Sequence, residues 1–297
     1  MEDTKATPTV PLVLHPEHFV DLQRSGLLPD TLRELGIYSA RPSDIPKLVG
    51  FDPPAIHSAL IFPYPGEDGF CRVKVFPSFK DKNDHAVKYL QKSGSGVHLY
   101  IPPLAAKVLS NPTIPLAWTE GEKKAAKACQ EGLPCVGLGG LWNWLEDERP
   151  IVKLDEVAHV EREEVIFPDS DVWSWPDLLR AVYAFGKELE ARGAKISAAI
   201  IPPGPQGEKR GLDDYLVACE QEGVKAQEAL VNLKRVPLKH LAFSQAAGWW
   251  KEWIKRREMK AEPPPDVMKL LERVGQARKL HPAQDFVDGV LFYGVLA

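Results

Sequence analysis

Cysteine is scarce in this 297-residue chain, and the four present (Cys71, Cys129, Cys135 and Cys219) form no C-x-x-C pair. That spacing excludes a zinc ribbon built on such pairs and fits a reducing compartment where thiols stay free. The eight histidines include no H-x-x-x-H pair, so a zinc hydrolase would lack its helical ligands. Neither G-x-S-x-G nor G-x-x-x-x-G-K-[ST] occurs, which removes the serine-hydrolase and P-loop readings. No apolar run approaches the ~18 residues of a membrane helix. The opening MEDTKATPTVPLVL lacks the basic start and apolar stretch of a secretory signal, so a cytoplasmic location is expected. Basic excess is missing too. With a net charge of -4, any contact with nucleic acid must rest on local basic patches or on bridging metal ions.

What is present is an ordinary globular composition, 44% hydrophobic and 26% charged, long enough for about two domains. Three segments are expected. Residues 1–110 read as an α+β subdomain: two short helices within His18–Ile37, the second closed by Gly36, then alternating strands from Ser58 to Tyr100 forming a small antiparallel sheet. Residues 111–223 change rhythm. Short apolar strands at Leu116–Thr119, Cys135–Leu138, Val165–Phe167 and Lys195–Ile201 alternate with helices at Glu122–Gly132, Pro176–Arg192 and Leu212–Glu222. That pattern predicts βαβ units, a Rossmann-like parallel sheet flanked by helices, and ligands at the carboxyl ends of the strands. Residues 224–297 read as helical, ending in FVDGVLFYGVLA. The ending looks like an unpaired strand, from which a natural gene continuing into another domain is expected.

Acidic residues follow the strands: Glu120 after the first, Asp169 and Asp171 after the third, Asp213 and Asp214 after the fourth. A parallel sheet delivers all of them to one edge. Residues two apart in extended chain point the same way, so Asp169 and Asp171 are expected to aim at one point. Carboxylates gathered without arginine partners repel each other, and a divalent cation is the usual resolution. Hard oxygen ligands suit Mg²⁺ or Mn²⁺, which can align an in-line displacement at phosphorus.

The motifs TEGEKKA, GLGG (Gly137–Gly140), DSDV and KRGLDDYL resemble the Toprim domain shared by bacterial-type primases, topoisomerases and some nucleases. KYLQKSGSGVHLYIPP (Lys88–Pro103) is similar to the segment preceding Toprim in primase cores. The ordered set looks most like the DUF3854 primase-like family, often joined to helicase or ATPase domains in mobile elements. The resemblance implies a metal-dependent primase-like nucleotidyltransferase using Mg²⁺ or Mn²⁺, a single-stranded DNA template and nucleoside triphosphates. A Toprim nuclease, or a binding module serving a helicase, is the alternative. By the same resemblance Glu120 is a metal ligand or general acid/base, and Asp169 and Asp171 are catalytic metal ligands. Asp213 and Asp214 extend that set. Arg72, Lys74 and Lys88 lie where template or nucleotide phosphates are held, with Lys209, Arg210, Gly139 and Gly140 as further nucleotide contacts. Lys124 stands where bacterial-type primases carry another acid, and Gly-Leu-Asp replaces their third-motif D-P-D.

Simpler roles compete for several residues. Thr119 and Glu122 have capping-box spacing, which would put Glu120 in a first helical turn. Asp169 and Asp171 fit a turn, Asp213 and Asp214 a helix start, and Gly139-Gly140 a tight turn. Lys123, Lys124 and Lys127 read as a solvated helix face. Trp249, Trp250 and Trp253 among cations could stack bases, but their near-helical spacing favours packing.

Overall fold

The structure, a computed structural model, describes residues 13–53 and 56–260. The expected helix at Asp266–Leu280 and the closing strand lie outside the described residues. Two compact units divide at Gly248/Trp249. In chain order the first unit opens with α1 (Pro16–Arg24), α2 (Pro29–Glu34), β1 (Tyr38–Ala40) and α3 (Ile45–Val49). Next come β2 (Ser58–Pro63), β3 (Cys71–Lys80), β4 (Ala86–Gln91), β5 (Leu99–Tyr100) and α4 (Pro103–Ala106). The site-bearing stretch holds β6 (Leu116–Glu120), α5 (Glu122–Gln130), β7 (Cys135–Leu138) and a small hairpin of β8 (Leu145–Glu146) with β9 (Arg149–Pro150). It continues through β10 (Glu163–Phe167), α6 (Pro176–Ala191), β11 (Lys195–Ala199) and α7 (Leu212–Gln221). Closing the described chain are α8 (Ala226–Asn232), β12 (Arg235–Pro237) and α9 (Ser244–Lys260).

The early strands form an antiparallel sheet in the order β1-β2-β3-β4. Its alternating pattern buries Val73 and Val75 against Ile45 and Val49 of α3. The larger sheet runs β12-β11-β10-β6-β7-β5. Its four central strands are parallel, and both edges are antiparallel. Central strands covered on both faces read as unbroken apolar runs, as in Val165, Ile166 and Phe167, all buried. Helices pack on this sheet through small or branched faces: Ala125 and Ala126 of α5 share a core with Leu212 and Leu216 of α7. The mixed α/β class with a parallel-centred sheet is as expected from the sequence.

Two edges differ from that expectation. β5 comes from ahead of residue 111, and β12 is extended within a segment read as helical. Parallel sheets expose unpaired edges, and both additions cap them with short antiparallel strands. Val236 is buried between exposed Arg235 and Pro237, a half-buried strand pattern three residues long. So short a run carries almost no periodic signal. Among the described residues no helix is long and apolar enough to cross a membrane.

Glu122 joins the two sheets. Only 1% exposed, its Oε1 accepts from the Tyr64 hydroxyl at 2.7 Å and from Arg72 Nη1 at 2.9 Å. Arg72 Nη1 also donates to the Gly139 carbonyl at 3.1 Å, and its guanidinium lies 4.8 Å from the Tyr89 ring centre. The expected capping box is therefore absent. Gly121 caps α5, while the Thr119 hydroxyl donates to the Phe167 carbonyl at 3.0 Å. A carboxylate claimed by a buried guanidinium has no reason to turn back to its own helix end. Removing one partner of a buried pair strands the other charge, at a cost of about 3–5 kcal/mol. Glu122→Ala should lose stability of that order in urea denaturation; a loss below about 1 kcal/mol would show that the junction is not held here.

Candidate active site

Strand register builds the site. Thr119 of β6 is level with Phe167 of β10, so the chains leaving both strands, at Glu120 and at Pro168-Asp169, emerge side by side. Gly121 turns the chain from β6 into α5 at φ +98°, a conformation that side chains rarely adopt. Pro168 ends β10, and Asp169 follows with extended backbone as the N-cap of a 3₁₀ turn over Ser170–Ser174. Asp171 thus lies in that turn, and the reading of both aspartates as one extended strand is corrected. Proline cannot continue the ladder, and the tight turn carries Asp171 around instead.

A third segment is stitched to this turn through Ser170. Its amide donates to the Arg210 carbonyl at 3.0 Å, and its Oγ accepts from the Arg210 amide at 2.9 Å. This clasp sets the start of α7 beside Asp169. A Cβ on Gly211 would meet Lys124 Cε at 2.5 Å, Asp213 Oδ1 at 2.8 Å and Asp169 Oδ1 at 3.3 Å, so glycine leaves room for these three side chains to approach one point. Asp214 turns back to accept from the Gly211 amide at 3.2 Å. Burial, and after it the Asp213 charge, raise its carboxyl above the ordinary range.

Glu120, Asp169 and Asp213 line one cavity of about 330 Å³ with Arg72, Lys88, Lys124 and Gly139. Lys74, Asp171, Lys209, Arg210, Asp214 and Gly140 are not among its lining. Lys74 pairs with Asp21 at 2.6 Å, and Gly140 accepts from the Asn143 amide at 2.8 Å in a turn. A larger cavity of about 500 Å³ opens beside Glu163, Lys195 and Arg235. These mark the starts of β10, β11 and β12, so that cavity receives none of the strand-end acids; the chemistry favours the smaller one.

The carboxylates are not without cationic partners. Lys124 Nζ stands 2.5 Å from Asp169 Oδ1, and Lys209 Nζ bridges Asp169 Oδ2 at 2.9 Å and Asp171 Oδ2 at 3.1 Å. Nor are the lysines of α5 a solvated face. Lys123 pairs with Asp21 at 3.3 Å, and Lys127, 1% exposed, bridges Glu131 and Glu220. Spacing alone showed one face of a helix; Asp21, Asp169 and Glu220 reach it from distant segments.

Among the described residues no group of three or more acidic, histidine or cysteine side chains stands ready to hold a metal. The donors nonetheless suit Mg²⁺ or Mn²⁺, because Mg²⁺ keeps waters and needs only one or two protein carboxylates plus substrate phosphates. Oδ1 atoms of Asp171 and Asp213 are buried with no hydrogen-bond partner, Asp169 Oδ1 has only the Lys124 ammonium beside it, and such acceptors suit a cation. Among the described residues no ion pair reaches Glu120. Burial raises its carboxyl above the ordinary glutamate range, and Asp169 and Asp171 act in the same direction against Lys124 and Lys209.

Residues 105–223 match the family model described as a domain of unknown function, DUF3854. This DUF3854 match spans every strand-end acid. No curated protein matches the chain. Among solved structures, the zinc-binding and RNA polymerase domains of Aquifex aeolicus primase align at 14% identity with a TM-score of 0.51, covering 75% of this chain and 57% of that one. The RNA polymerase domain of Mycobacterium tuberculosis primase DnaG aligns at 14% identity with a TM-score of 0.40, covering 91% and 83%. At 14% identity the likeness to the Aquifex structure is one of fold, and this chain spans 57% of its length.

The residue that sequence reasoning missed is Glu122, whose T-x-x-E spacing drew it to a cap. Its signal was present only as an acid beside an apolar strand end, indistinguishable there from helix-start chemistry.

An acid whose carboxyl is raised in the fold destabilises it once pH climbs through the ordinary carboxylate range, because the unfolded chain ionises first. Glu120→Gln should therefore raise the metal-free melting temperature at pH 7 by roughly 2–4 °C. The gain should shrink as pH falls below that range. A gain independent of pH, or none at neutral pH, would contradict the assigned environment of Glu120.

Proposed function

We propose that this chain is a metal-dependent, primase-like nucleotidyltransferase of Toprim type. In this reading it extends a strand on single-stranded DNA from nucleoside triphosphates, in the replication of a mobile element or plasmid, within the cytoplasm. A helicase or ATPase is its proposed partner. The observation that carries the reading is one cavity holding Glu120, Asp169 and Asp213 across from Arg72 and Lys88, beside buried carboxylate oxygens that lack hydrogen bonds. Such a surface asks for a cation and a polyanion together.

Asp169 and Asp171 would hold the Mg²⁺ or Mn²⁺ ion, with Asp213 lending negative charge beside them. When bound, the ion neutralises phosphate charge and assists in-line displacement at phosphorus. Glu120, raised by burial, suits the proton transfer: its carboxylate accepts the proton of the attacking 3′-hydroxyl. That hydroxyl oxygen bonds to the α-phosphorus as the bond to the bridging oxygen breaks, and pyrophosphate leaves. Lys88 and Arg72 face the phosphates, although Arg72 is also committed to Glu122. Gly139 brings its backbone close to Arg72, within reach of the same charge. Lys74, Arg210, Gly140 and Asp214 have structural partners, so in this reading they act at the margin of the nucleotide site.

Labelled primer synthesis on single-stranded DNA tests the proposal. Product should form with Mn²⁺ or Mg²⁺, vanish with chelator or Asp169→Ala, and fall about 100-fold or more in Glu120→Gln. Cleavage of the template under the same conditions would replace transfer by hydrolysis. Binding of DNA indifferent to Asp169→Ala and chelator would leave a module without turnover.

A further inference from the structure

The loop between β11 and α7 places one amine over two carboxylates. Lys209 Nζ lies 2.9 Å from Asp169 Oδ2 and 3.1 Å from Asp171 Oδ2. The three side chains differ sharply in exposure: 53% for Lys209, 5% for Asp169 and 24% for Asp171. The cation is therefore the part of the cluster that solvent reaches best, while the anions sit deeper. Lys209 engages only one oxygen of each: Asp169 Oδ1 is left to Lys124, and the buried Asp171 Oδ1 has no hydrogen bond.

Backbone and side chain of Lys209 are separately restrained. Next door, Arg210 is clasped through its amide and carbonyl to Ser170, between the two aspartates. Farther out, Gly204 donates to the Glu208 carbonyl at 2.9 Å, and Gln206 donates to Glu208 Oε2 at 2.9 Å. None of these bonds uses the Lys209 amine. Its flexible stem and compact, strongly hydrated ammonium can leave the carboxylates while the main chain stays. Lys124, set on α5, lies deeper, its side chain 18% exposed.

We infer that Lys209 is a displaceable internal cation, a positioning residue that holds the Asp169–Asp171 pair together in the metal-free protein and must be evicted for a divalent ion to enter. The inference rests on the metal-site reading above. It makes Lys209 the competitor that sets how weakly the empty protein takes up metal, and it gives the aspartate pair a folded, neutralised state before metal arrives.

The test measures Mn²⁺ affinity of the full chain at neutral pH, from the signal of free Mn²⁺ in electron paramagnetic resonance, without substrate. Lys209→Met should bind Mn²⁺ about tenfold more tightly than wild type, and Lys209→Arg should stay near wild type. Lys123→Met also removes one positive charge, from the lining of the cavity that holds Glu120 and Asp169, but Lys123 pairs with Asp21 and with neither Asp169 nor Asp171, so its loss should tighten binding far less. Asp171→Asn should weaken it. The metal-free melting temperature of Lys209→Met should drop, and Mn²⁺ should raise it by more than in wild type. If Lys209→Met binds no more tightly, or Lys123→Met gains as much, Lys209 is not the competitor, although metal bound through Asp171 would leave the site reading standing. If neither folded wild type nor folded Lys209→Met takes up Mn²⁺, the metal reading fails and this inference with it.

Discussion

Negative charge withdrawn from water at one edge of the sheet must be balanced, and the local arrangement of this protein follows from how that is done. β6 and β10 leave the sheet side by side, and α7 begins against them. Glu120, Asp169, Asp171 and Asp213 are thereby brought together by backbone geometry before their side chains have any say. The repulsion is met in two ways. Lys124 and Lys209 are set directly against the aspartates, and burial holds the Glu120 carboxyl above the ordinary glutamate range. Buried oxygens without hydrogen bonds remain, so the balance is incomplete. A fold optimised for stability alone would not keep them, since each unsatisfied buried acceptor carries a cost.

A second ion pair performs a different task a few residues away. Glu122 and Arg72 anchor the antiparallel sheet to the start of α5 and to the Gly139 turn. The cavity is consequently walled by both sheets, with acids from one and Arg72 and Lys88 from the other. Arg72 both lines the cavity and is half of a buried pair, held there by Glu122 and the Gly139 carbonyl.

Much of the fold was legible in the sequence. The helix over Pro176–Ala191 follows from the spacing of Val182, Phe185 and Leu189, and the buried strands from short apolar runs bounded by turns. Strand-end acids were legible because parallel topology puts every carboxyl end on one edge whatever the strand order. Less legible were elements two or three residues long, such as β5 and β12, whose pairing depends on an edge supplied by other strands. The Asp169–Asp171 geometry was legible only as two competing readings, an extended pair or a turn, and the structure has the turn, after Pro168 ends the strand.

Sequence by itself determined which groups can meet. Periodicity, proline and glycine placement and the alternation of strand and helix are local, and they fix which residues end each strand. Tertiary structure alone decided what those groups meet as. Whether a lysine is solvated or bridges two aspartates, and whether Glu122 caps its helix or receives Arg72, depends on partners many residues away. The reason is that electrostatic and hydrogen-bond energies fall steeply with distance and rise with burial, and both are properties of the folded chain.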